Sequence, residues 1–177
     1  MKKINLIFIA LLFTSVSFSQ ISYLQYRHVP QNDEAKFVER ETKHWSKVAK
    51  AAIDKGQLSG WTLWRKIGVT TVDAPNYVFV NSYNNLKQLD DNNAWGDNLS
   101  ALGAVKPGDV DSNSFTTLTF DYYIQSEDHV PGEYKYALVN YGKPTDRNAF
   151  IQENRSLWKP LHEASIKNIL NGMTYWG

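Results

Sequence analysis

The sequence contains no cysteine, so disulfides and thiolate chemistry are excluded from both fold and function. Nor does it contain an apolar run long enough to span a bilayer, which takes about 20 residues. Charge of neither sign dominates, with 19 Lys and Arg against 18 Asp and Glu, and a balance of that kind excludes a polybasic surface for nucleic acid or anionic lipid. Glycine-rich phosphate loops and the G-x-S-x-G nucleophile motif are missing. None of the four histidines has a second histidine at ligand spacing. No motif therefore names a reaction, and no metal and no cofactor is expected.

What is present begins with a leader. Lys2 and Lys3 precede the apolar run Ile4 to Phe13, and Ser17 and Ser19 precede Gln20 as a small-x-small cleavage site, the pattern of an export signal over residues 1–19. With no cysteine to carry a lipid, the product is expected to be exported to the periplasm or secreted, with no membrane attachment after cleavage. The remaining 158 residues are one ordinary domain's length. Their charge is 17 basic against 18 acidic, so nucleic acid is not an expected partner.

Rings are plentiful, and five marker residues recur. Tyr23, Phe37, Trp45, Gly60 and Trp64 return as Tyr136, Phe150, Trp158, Gly172 and Trp176, at an offset of 113 residues that becomes 112 after one deletion. Such self-similarity predicts an internal repeat. From Ser22 to Val29 the residues alternate, which predicts a strand ended by Pro30. Asp33 is the expected N-cap of a long helix whose stripe is Phe37, Glu41, Trp45, Val48 and Ala52, with Gly56 as its C-cap. Strands are predicted at Trp61 to Ile67, Tyr77 to Tyr83 and Phe115 to Gln125, with a broken helix at Leu86 to Leu89 and Trp95 to Leu102. The order strand, helix, strand, strand, helix, strand is a ferredoxin-like βαββαβ unit over residues 20–129. A partial second unit follows over 130–177: a strand at Glu133 to Tyr141, a helix from Arg147 to Leu170 that Pro160 kinks or divides, and a strand start after Gly172. On this count the chain is expected to be a fragment, or a truncated relative, of a longer two-repeat protein.

Tyr23, Val29-Pro30, Phe37, Trp45, Ala52 and Gly60-Trp61-x-Leu63-Trp64, echoed by Tyr136, Phe150, Trp158-Lys159-Pro160, Ile166 and Gly172 to Trp176, resemble the dimeric α+β barrel superfamily. The resemblance is to its NIPSNAP-like and antibiotic-biosynthesis-monooxygenase-like branches and to tandem versions exported by Bacteroidota. It implies an α+β fold of dimeric α+β barrel type, in which two ferredoxin-like sheets pair face to face with helices outside. On activity the resemblance says little, and no catalytic motif of the family can be carried over.

Residues present in both copies are read as packing requirements, so Trp45 is expected between the long helix and the sheet. Strand alternation assigns Leu24, Tyr26, Trp61, Leu63, Val78, Val80, Leu118, Phe120 and Ile124 to the helix-covered side. The opposite, inner face then holds Gln25, Arg27, Trp64, Tyr77, Phe79, Asn81, Tyr83, Tyr123 and Asn140, together with Tyr23, Lys66, Asp121 and Tyr136. Rings with a few polar groups make up a small-molecule pocket or a face that packs on another sheet. Asp109-Val-Asp111-Ser-Asn113 begins like a calcium loop, but Ser114 replaces the glycine and Phe120 the bidentate glutamate, so it reads as a solvated turn. The expected function is a non-catalytic exported protein that binds a small aromatic or apolar ligand or a partner. The alternative is a cofactor-free monooxygenase or isomerase acting on an aromatic or polyene substrate through groups such as Arg27 and Asn81. An incompletely covered inner face, with Trp64, Tyr77, Phe79 and Tyr83 exposed, also predicts self-association.

Overall fold

A computed structural model describes residues 20–68, 71–90, 93–130, 135–165 and 173–176. The expected leader lies outside them, as do Gly172 and the helix positions expected at 166–170. The chain opens with β1 (Ile21–His28) and turns at Pro30 into a 3-10 turn, Gln31–Asp33, from which α1 (Glu34–Arg40) continues. A π-helical turn, Glu41–Trp45, joins α1 to α2 (Ser46–Asp54). Phe37, Val48 and Ala52 of the expected stripe are fully buried. Asp33 precedes α1, but its side chain makes no capping hydrogen bond. Gly56 closes α2 at a φ of 72°, a left-handed conformation that favours glycine.

Next come β2 (Gly60–Arg65), β3 (Tyr77–Tyr83), the short α3 (Leu86–Asp90) and two 3-10 segments, Gly96–Leu102 and Pro107–Val110. β4 (Thr117–Val130) is longer than its alternation predicted. The strands lie in the order β2-β3-β1-β4, every neighbouring pair antiparallel. Beyond Ser126 β4 pairs instead with β5 (Met173–Trp176), again antiparallel. The protein is therefore α+β, an antiparallel sheet with helices packed on one face, and no helix among the described residues is long and apolar enough to cross a membrane.

Register decides which residues face the helices, and here most of the expected faces are exchanged. Gln25 pairs with Phe79 and Asp121, Phe79 with Leu63, and Tyr23 with Asn81 and Tyr123, which sets these side chains on one face. That face meets the helices: Val29, Tyr77 and Phe79 pack with Phe37 of α1, while Tyr83 packs with Ala52 of α2, Leu58 and Ala94. Leu24, Tyr26 and Val78 cluster on the opposite face with Trp64, Val80, Tyr122 and Ile124. Only β2 follows the expected assignment, because Trp61 and Leu63 do pack against the Phe37 cluster. Alternation sorts residues into two sets but does not say which set the helices cover, and both faces carry rings and aliphatics enough to be covered. Tyr77, Phe79 and Tyr83 are consequently buried, at 3, 7 and 4% exposure, and cannot be the open face expected to drive self-association.

The strand expected at Glu133 to Tyr141 is not formed in its described part. Residues 136–144 have no regular structure and lie exposed. Their alternation resembles a strand's, but among the described residues no ladder partner pairs with them, and an unpaired backbone gains nothing from extension. Tyr141 nevertheless ties this segment to the sheet, its hydroxyl bonding those of Tyr26 and Tyr122. Then α4 (Arg147–Glu153), a π-helical turn (Asn154–Trp158) and α5 (Lys159–Ser165) repeat the pattern of α1, π turn and α2. Both π turns occur at the same marker spacing, the first with no proline near it and the second just before Pro160, where the helix was expected to kink or divide. Asp146 caps α4, its Oδ1 accepting from the Ala149 amide at 2.9 Å. Glu127 with Arg147 at 2.7 Å and Asp128 with Lys159 at 2.6 Å hold this helical segment to the end of β4.

Candidate functional site

A cleft of about 290 Å³ opens between the helix-covered sheet face and the segments that cross it. That volume is near the lower end of the range for ligand pockets, so it suits a small ligand. Its floor is the sheet: Gln25 and Arg27 from β1, Trp61 from β2, Phe79 and Asn81 from β3. One wall is helical and carries Phe37, Glu41 and Trp45. The other carries Trp95, Asp111, Ser112 and Asn113 from the loop structure before β4.

Of the nine candidate ligand-binding residues, four meet here: Gln25, Arg27, Phe79 and Asn81. The cleft lies beneath the helices, whereas the expectation placed these residues on the face away from them. Tyr77 is spent on the core, its ring 4.8 Å from that of Phe37 and its hydroxyl donating to Glu34. Tyr83 lies in the Ala52 cluster, and Trp64 is on the opposite face. Tyr123 stacks on Tyr23 at 4.6 Å beside the cleft and is 58% exposed, whereas Asn140 is exposed in the irregular segment. His28 bonds the Ala74 carbonyl and does not line the cleft.

Glu41 was not among the candidates, although it stands on the apolar stripe of the first helix. A charged residue at a core position is the signal that could have found it. It begins the π-helical turn and is 6% exposed. Burial pushes its carboxyl up to about 7; Asp111 acts in the same direction, while the Ser112 hydroxyl, Arg27 and Arg40 oppose. Single π turns of this kind are frequent at functional sites, because they shift one side chain out of the helical phase. Arg27 is itself drawn below its usual range by burial, against the pull of Glu41, Tyr23 and Asp111. Its guanidinium donates to Thr116 Oγ1 at 3.2 Å and lies 5.9 Å from the centre of the Phe79 ring.

Asn81 is 3% exposed, yet its Oδ1 accepts no hydrogen bond. Buried acceptors in that condition are uncommon, and because Asn81 lines the cleft, a turn of its amide would offer this one to a ligand donor. Asp111 accepts from Asn113 Nδ2 at 2.8 Å and from the Ser114 amide at 3.2 Å, so the acidic stretch is a turn, as expected, and it also rims the cleft. Trp45 is half-buried and faces the 3-10 segments as well as the cleft: its Nε1 donates to the Val110 carbonyl at 2.9 Å, and its ring meets Trp95 edge-on at 6.2 Å. It is a wall of the site, where pure helix-to-sheet packing was expected. Among the described residues no group of three or more acidic or histidine side chains is placed to hold a metal ion. No family model matches this chain, and no curated protein matches it.

Proposed function

We propose that the chain is a small-molecule-binding protein whose ligand occupies the cleft between the sheet and the α1 to α2 segment. The carrying observation is the convergence of Asn81, with its unpaired buried acceptor, with Glu41 and Arg27 between aromatic walls. Apolar concavity with a few convergent polar groups is what ligand recognition requires. The strand order β2-β3-β1-β4 with antiparallel neighbours supports reading residues 20–129 as a ferredoxin-like unit of the dimeric α+β barrel kind. The repeated helix, π turn and helix support a second, partial unit after residue 130. Export rests on the basic, apolar and small-residue pattern of residues 1–19. A screen of soluble fragments by ligand-observed NMR tests the binding reading. The expected result is a set of hits that is lost in Trp61→Ala; a library without hits overturns the proposal.

A second reading, a cofactor-free enzyme that moves a proton, draws support from Arg27 lining the cleft beside a Glu41 that titrates near neutrality. General acid–base groups work best when their pKa is close to the operating pH. Turnover of a hit compound that disappears in Glu41→Gln would favour it over simple binding.

Self-association is proposed through a different surface from the one expected. Leu118 and Phe120 on β4, and Phe150, Leu157, Trp158 and Leu161 on the second helical segment, are all exposed by 41% or more, and exposed apolar side chains in such numbers favour association. Light scattering over a dilution series should show association at high micromolar concentration, and a monomer throughout rules it out.

A further inference from the structure

Building on the reading of the cleft as a ligand site, we infer that its ligand is a neutral, hydroxyl-bearing ring of the sugar type. A purely apolar or aromatic ring would expel water from a cleft whose lining includes Gln25, Arg27, Glu41, Asp111 and Asn113, and would offer their polar groups nothing in exchange. Buried polar groups stranded in this way are what make a polar site reject an apolar ligand. An anion would meet two carboxyl groups, Glu41 and Asp111, against the single guanidinium of Arg27, which is already engaged by Thr116. A cation would be drawn to those carboxyls and to the rings but would share the small cleft with Arg27.

A ring hydroxyl escapes each of these objections, because it both donates and accepts. It can donate to a carboxylate or, with a turn of the Asn81 amide toward the cleft, to its Oδ1, and it can accept from Arg27 or the Gln25 amide. The C–H faces of a sugar ring carry slight positive charge, which suits the electron-rich faces of indoles such as Trp61, Trp45 and Trp95. Gln25 Nε2 already reaches the Tyr23 hydroxyl at 3.4 Å, and that hydroxyl donates to Asp121. Gln25 therefore connects the cleft to a polar pair that lies outside its lining.

The second helical segment provides a control. Asn154 begins its π turn as Glu41 begins the first, and it too is buried, at 8% against 6%. Glu41→Asn should therefore fold, with the acid removed. The full chain is titrated by tryptophan fluorescence and calorimetry with glucose, galactose, xylose, N-acetylglucosamine and cellobiose, and in parallel with indole, benzoate and benzylamine. The expected result is that at least one sugar binds while the three aromatic probes bind at least tenfold more weakly. That sugar should lose at least tenfold in affinity in Glu41→Asn and in Asn81→Leu, each checked for folding by near-ultraviolet circular dichroism. Binding of indole, benzoate or benzylamine with the sugars silent overturns the sugar assignment and leaves the cleft as a ligand site. Sugar binding indifferent to both substitutions overturns it as well, by placing the sugar elsewhere. Silence from every probe overturns the assignment, and only a fragment screen that is silent too removes the ligand site with it.

Discussion

Phe37→Ala lowers the unfolding free energy by about 3–5 kcal/mol, the usual range for emptying a buried aromatic site. Phe37 is fully buried and stands where α1 meets the sheet, 4.8 Å from the Tyr77 ring and 5.9 Å from the Phe79 ring, with Val29 completing the cluster. Rings crossing at 58° and 70° interlock, so the neighbours cannot slide into the vacated space without losing their own contacts. Because Phe37 also forms part of the cleft wall, the void joins the cleft and ligand affinity falls with it. Urea denaturation at constant m-value measures the loss, and the counterpart substitution supplies the scale. Phe150 occupies the same place in the second helical segment but is 41% exposed, so Phe150→Ala should cost no more than about 1 kcal/mol. Equal losses at the two positions would mean that Phe37 is not the core residue described.

Glu41→Gln should abolish a pH dependence of stability worth about 3 kcal/mol between pH 4.5 and 7. The folded carboxyl is held up to about 7 from an ordinary value of 4.5, chiefly by burial. Across that interval the unfolded chain has already released the Glu41 proton and the folded chain has not. Stability therefore falls as pH rises, by about 1.4 kcal/mol per unit, and the loss is complete once the folded group also ionises. Glutamine has the same shape and no proton to release, so the variant gains on the parent protein through the window and keeps that advantage at pH 8. Other carboxyls contribute slopes of their own. Burial opposes ionisation of Asp128, but the hydrogen bonds from Lys159 and the His129 amide hold it below its usual range, which acts in the opposite sense at lower pH. The difference between the two stability curves isolates Glu41. A flat difference curve across the window would show that its carboxyl titrates as a surface acid does.

Local pattern carried much of the fold. The phase of the first helix was legible in Phe37, Val48 and Ala52, because a stripe repeating every three to four residues has one way to bury itself. β3 appears at its predicted bounds, and Gly56 ends the helix as predicted. Elsewhere the same reasoning failed for a physical reason. Tyr136 and Leu138 alternate as a strand would, but a strand needs a partner, and partners belong to the rest of the chain. Asp33 had the right residue type for a cap, whereas Asp146 alone, among these two, has the geometry.

For the site, the sequence by itself determined which side chains travel together. Alternation puts Gln25 with Arg27 on β1 and Phe79 with Asn81 on β3, while the pairing of β1 with β3 is what joins the two pairs on one face. Tertiary structure alone decided that this face lies under the helices, because both faces of the sheet are apolar enough to be covered and alternation is blind to direction. It also brought in Glu41, Trp95 and Asp111 from elements well separated along the chain. Glu41 was visible as a charge on an apolar stripe, but its meaning depended on what packs against it. A buried carboxyl becomes a functional group only when folding removes it from water beside Arg27 and Asp111, and that is a property of the assembled core.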